Sequence, residues 1–162
     1  MAEEEDDDGP EPAEHARFRA YQRALAGVGE SEEVDLLRTV LADPDKAMAE
    51  SAVGRHLDLR ASALDDGDGF ARWARRVAPA LEGRAFPSRR LHEWSLWKDL
   101  SAGREVGAQA LLDASDWLQR RLAAGSDDPS VLALLAARGR TSRVRAASGR
   151  RLDLLRHPRR PG

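Results

Sequence analysis

A chain of 162 residues without a single cysteine has room for one hydrophobic core, and it excludes disulfides, thiolate metal sites and cysteine nucleophiles. Hydrophobic residues make up 41% and charged residues 33%, a balance that folds when the charges sit on solvated helix faces. The net charge of −2 hides two opposite ends: Glu3, Glu4, Glu5, Asp6, Asp7, Asp8, Glu11 and Glu14 give residues 1–14 a formal −8, whereas nine arginines against Asp153 alone give the stretch from Arg138 onward +8.

Like charges crowded in Glu3 to Asp8, followed by Gly9-Pro10-Glu11-Pro12, have nothing to bury and repel one another, so residues 1–14 are expected to form an acidic disordered tail. Beyond Pro12, Phe18, Tyr21, Leu25 and Val28 recur at helical spacing and predict an amphipathic helix ending near Gly27 to Gly29. Ser31 is the expected cap of the next helix, with Glu32 and Glu33 suiting its dipole and Val34, Leu37, Val40 and Leu41 facing inward. Asp43-Pro44 ends it and starts a third helix, to about Arg60, with Met48, Ala52, Val53, Leu57 and His56 inward and Asp43 as cap. A turn so short makes the two helices antiparallel neighbours.

Asp65 to Gly69 is a break, after which Phe70, Trp73, Val77 and Leu81 mark another helix. Gly83 to Pro87 reads as a loop and Ser88 as the cap of a helix carrying Leu91, Trp94, Trp97 and Leu100, closed by Ser101 to Gly103. Val106 to Leu112 and Ser115 to Ala124 predict a short helix and a longer one, kinked or continuous. Asp128-Pro129 repeats the aspartate-proline start, with Val131, Leu132 and Leu135 leading to a Gly139 stop. The last helix, from Thr141, presents Val144, Ser148, Leu152 and Leu155 before His157-Pro158 ends it. With no period-two segment anywhere, the expected fold is all-α, about eight helices and no sheet, over residues 15–157, followed by a basic tail at 158–162.

Ala52-Val53-Gly54-Arg55-His56-Leu57-Asp58-Leu59 recurs as Ala147-Ser148-Gly149-Arg150-Arg151-Leu152-Asp153-Leu154 at an offset of 95, which also places Leu37, Val40 and Leu41 on Leu132, Leu135 and Ala136. The offset fits two periods of a helical repeat. Leu36-Leu37, Leu41, Asp43-Pro44-Asp45, Ala52-Val53 and Leu57 resemble a HEAT repeat, in which an aspartate-bearing turn joins two helices and the second carries small residues inward. Val144-Arg145-Ala146-Ala147 with Leu152 resembles the second helix of another. Ala114-Ser115-Asp116-Trp117-Leu118-Gln119-Arg120, with Leu134-Leu135-Ala136 and Gly139-Arg140-Thr141, is similar to short uncharacterised HEAT-like proteins of high-GC bacteria. The resemblance implies a short solenoid of antiparallel pairs and supplies no activity.

His15, His56, His92 and His157 are too scattered for a metal motif, and the Asp66 loop has Ala71 where a calcium loop needs glycine. No serine lies in a nucleophile elbow and there is no phosphate-binding loop, so no catalytic, cofactor or metal site is expected. His92-Glu93 beside Trp94 would suit proton transfer in a cleft, but a histidine on the helix surface is the commoner role and the expected one. Candidate partner-binding residues are Trp94 and Trp97, where one indole of two fits a groove, and Arg138, Arg140, Arg143, Arg145, Arg150 and Arg151. The arginines flank the turn and the first helical turns of a helix pair, and Leu134 to Ala147 also reads as helix-turn-helix. The expectation is a non-enzymatic, cytoplasmic protein-interaction module, with nucleic-acid binding as the alternative and no membrane association. The acidic start lacks the pattern of a secretory signal, and no apolar run approaches the ~20 residues of a span.

Overall fold

The computed structural model describes residues 13–65 and 67–157. Among them every regular element is helical: α1 (Ala13–Ala26), α2 (Glu33–Leu41), α3 (Lys46–Ala63), α4 (Asp68–Val77) with a 3-10 turn at Ala78–Leu81, α5 (Ala85–Ser101), α6 (Ala108–Asp113), α7 (Asp116–Gly125), α8 (Pro129–Arg138) and α9 (Ser142–Arg156). The all-α expectation holds. The assigned acidic tail lies outside the described residues up to Pro12, as does the basic tail at 158–162, while α1 starts at Ala13. The stretch 106–124, expected as a kinked or continuous run, is instead two helices, α6 and α7, because Ala114 and Ser115 are both extended.

The chain divides into two compact units. In the first, residues 13–63 with 73–90, α3 packs against both α1 and α2, and α2 also meets the 3-10 turn. Leu25, Leu37, Val40, Val53, Leu57, Trp73, Val77 and Leu81 are buried there, which follows from their helical spacing. Gly54 lets α3 approach the Phe86 ring, since a Cβ on it would stand 2.5 Å from Phe86 Cε1. In the second unit, residues 64–72 with 91–157, α9 packs against α8 and α7, and α6 meets α8. Its core joins Leu96, Leu111, Leu118, Leu122, Val131, Leu135 and Val144, with Trp97 and Trp117 packed at the margin.

Helix starts show which local signals win. Asp128 caps α8, its Oδ1 accepting from the amides of Ser130 at 2.8 Å and Val131 at 3.4 Å with Pro129 in the first turn, and Thr141 Oγ1 accepts from Val144 at 3.1 Å to cap α9. Three expected caps are corrected. Glu32 rather than Ser31 precedes α2. Asp45 rather than Asp43 caps α3 through Met48, because the Asp43 carboxylate is engaged by the Asp45 amide and the Tyr21 hydroxyl. Ser88 lies inside α5, its hydroxyl donating to the Leu81 carbonyl, because the helix already starts at Ala85 with Pro87 tolerated in its first turn. Leu155, expected inward, is 37% exposed on the last turn of α9. Gly103 closes α5 in the left-handed region, with φ of 71°. Replacing Asp128 with alanine should cost about 1 kcal/mol of stability in urea unfolding, the usual loss of a helix cap.

Shifted by 95 residues, α2 and α3 fall on α8 and α9 to within two residues at each end. Burial repeats as well: Leu37 and Leu132, Val40 and Leu135, Ala49 and Val144, and Leu57 and Leu152 are all buried.

Candidate functional site

The first unit carries a carboxylate on the apolar stripe of α2. Glu33, 1% exposed, stands one and two turns before Leu37 and Val40, and three donors reach it from elsewhere in the chain. His56 Nε2 lies 2.8 Å from Oε1, Trp73 Nε1 donates to the same oxygen at 3.0 Å, and Arg76 donates to Oε2 at 3.0 Å. Arg60 stands 3.4 Å away and Arg76 also pairs with Glu30. Burial alone would raise the Glu33 carboxyl, but the bonds from His56, Trp73 and Arg76 more than reverse that and hold it at about 2. An ionised carboxylate only accepts, so His56 Nε2 is the donor in this contact.

His56 also lines a groove of about 540 Å³ between α1 and α3. Leu25, Ala26, Ala52 and Leu59 give it an apolar lining, and Arg19, Arg23, Arg55 and Arg60 line it as well. Such a lining suits a ligand with an apolar body and an anionic edge. Among the described residues, no group of three or more histidines and acids is placed to hold a metal ion.

The candidate tryptophans lie in the second unit and are occupied by the chain itself. Trp94 is buried and tilted at 59° against Trp117, with ring centres 5.5 Å apart. The Arg121 guanidinium sits 4.2 Å from the centre of Trp94, 4.7 Å from Trp97 and 5.8 Å from Trp117, a cation held among three indoles. Trp97 remains half-buried, with Gly125 close against its edge. His92 is exposed on the helix surface, as expected, whereas buried Glu93 accepts from the Ser115 amide at 2.6 Å and its hydroxyl at 2.8 Å, holding the start of α7.

The six candidate arginines fall into two sets. Arg140, Arg145 and Arg151 are partly spent on the fold: Arg140 donates to the Ala114 carbonyl, Arg145 to that of Gly139, and Arg151 to Ser126 and to the Asp127 carboxylate. Buried Gln119 supports the same corner, accepting from the Arg140 amide at 2.8 Å and donating to the Leu111 carbonyl at 2.9 Å. Arg138, Arg143 and Arg150 are exposed, as are Arg140 and Arg145 despite their bonds, while Arg151 is half-buried.

Sequence reasoning missed the Glu33 cluster and the groove. One signal was present, a glutamate placed four and seven residues before Leu37 and Val40 on the buried stripe. Its donors come from 23 to 43 residues away and carry no local mark. No protein-family model matches the chain, and no match was found among curated proteins or solved structures.

Proposed function

We propose that the protein is a non-enzymatic, cytoplasmic protein-interaction module, a short HEAT-like solenoid of antiparallel helix pairs. The observation that carries this reading is the groove between α1 and α3, lined by both apolar residues and arginines, beside a helix pair that recurs at an offset of 95. Stacked helix pairs leave such surfaces by geometry. The terminal arginines support a second reading, a helix-turn-helix nucleic-acid binder, because α8 and α9 are joined by three residues and Arg138, Arg143 and Arg150 are exposed beside that turn or on α9. Among the described residues no helix is long and apolar enough to cross a membrane.

Salt separates the two readings. Affinity capture with the full chain, with nuclease added and salt raised stepwise, should retain a protein whose binding weakens far less steeply than phosphate contacts do, since its apolar part is not screened. Recovery of nucleic acid with affinity falling linearly on a logarithmic salt scale would replace the first reading by the second.

A further inference from the structure

The repeat extends to positions that packing does not dictate. Identity between Leu57 and Leu152 follows from burial, because any copy of this helix pair needs a large apolar side chain there. Leu59 and Leu154 are a different matter. They are 59% and 57% exposed, they are equivalent at the offset of 95, and with Leu155 they are the exposed large hydrophobic residues of the described chain. One turn before each stands an exposed arginine, Arg55 and Arg150, again equivalent and again identical. Helix propensity at a solvated position is satisfied equally well by alanine, glutamate, glutamine or lysine. Neither the core nor helix formation therefore accounts for arginine and leucine recurring together on the outer face.

We infer that Arg55–Leu59 on α3 and Arg150–Leu154 on α9 are two copies of one docking element, each receiving a helical peptide that sets a leucine-sized side chain beside a carboxylate. The inference rests on the interaction-module reading and adds the partner's chemistry. Residues four apart on a helix are surface neighbours, so each pair presents an apolar knob and a cation within one turn. Leu59 and Arg55 both line the groove of about 540 Å³ between α1 and α3, and Leu154 and Arg150 line a more open hollow of about 390 Å³ with Asp153 and His157 at the end of α9. Packing around the two helices also corresponds, since α1 lies against α3 as α7 lies against α9.

Charge selects the occupant. The chain's own residues 1–12 hold seven acids but no leucine, isoleucine, valine or aromatic residue, so they match the arginines and leave the leucines uncovered. A second copy of the same face would bring arginine against arginine. A foreign acidic amphipathic helix matches both members of each pair.

The test uses the full-length protein and a fluorescein-labelled helical peptide with leucine and glutamate alternating along one face, titrated by anisotropy and calorimetry. The expected stoichiometry is two peptides per chain for the parent, one for Leu59→Ser or Leu154→Ser, and none for the double variant. Leu155→Ser, exposed but opposite Arg60 in the repeat, should bind like the parent. Exposed substitutions leave the fold in place, which circular dichroism and melting verify for each variant. Equal binding of a peptide with lysine for glutamate, or with serine for leucine, would overturn the inference, as would parent-like binding by the double variant. Capture of a salt-resistant protein by that double variant would show that only the docking surface is misassigned. A parent that captures none would overturn the interaction reading itself.

Discussion

Replacing Glu33 with glutamine should lower the unfolding free energy by about 3 kcal/mol at neutral pH, because the amide removes the charge that three buried or half-buried donors and Arg60 converge on. The donors come from α3 and α4, so the loss is spread over the junction of three helices in the first unit. Acid should reproduce it without mutation. The folded carboxyl titrates at about 2 against an ordinary value of 4.5, so on acidification the unfolded chain takes up this proton first. The contribution is complete above about 4.5, declines at about 1.4 kcal/mol per pH unit below it, and is gone by about 2. Urea unfolding of parent and variant across that window is the measurement. The gap between them should close as pH falls, and a gap that stays constant from neutral pH to pH about 2 would mean that Glu33 packs without its charge.

Leu57→Ala and Leu152→Ala should each cost ~2–5 kcal/mol, since both leave a cavity on the inner face of the second helix of a pair. Leu57, fully enclosed in the middle of α3, belongs near the upper end of that range, and Leu152, 6% exposed and one turn from the end of α9, near the lower. Their neighbours in the repeat supply the contrast: Leu59→Ala and Leu154→Ala, two residues further along, should stay within ~0.5 kcal/mol of the parent. A pair of parent-like melting curves for Leu57→Ala and Leu152→Ala would break the register of the repeat.

The helices were legible in the sequence because each apolar cluster recurs at three and four residues and no segment alternates. The Asp128 and Thr141 caps were legible too, since a short side chain before a helix meets its own backbone. Ser88 and Asp43 failed for one shared reason, that each had a partner other than the helix start it was expected to cap. Ser88 found the Leu81 carbonyl and Asp43 found Tyr21 from α1. Glu33 is the largest case. On its own helix it suits the dipole, and only the tertiary arrival of His56, Trp73 and Arg76 makes it a buried centre. Of the candidate tryptophans, Trp94 turned inward because Arg121, Trp117 and Lys98 supply it with neighbours that helical spacing does not reveal.

Lysine is so scarce that its placement makes the folded chain chemically selective. Only Lys46 and Lys98 occur. Lys46 opens α3 in solvent, whereas Lys98 is 5% exposed, its ammonium donating to the Leu64 carbonyl at 2.6 Å and lying over the Phe70 and Trp94 rings. An acylating reagent therefore meets one side-chain amine on the native surface, at the head of the repeat's second helix, and reaches the other only when the second unit opens. Without cysteine to compete, that single amine is a ready attachment point for a spectroscopic label, and the reactivity of its hidden counterpart gauges how often the tryptophan cluster comes apart.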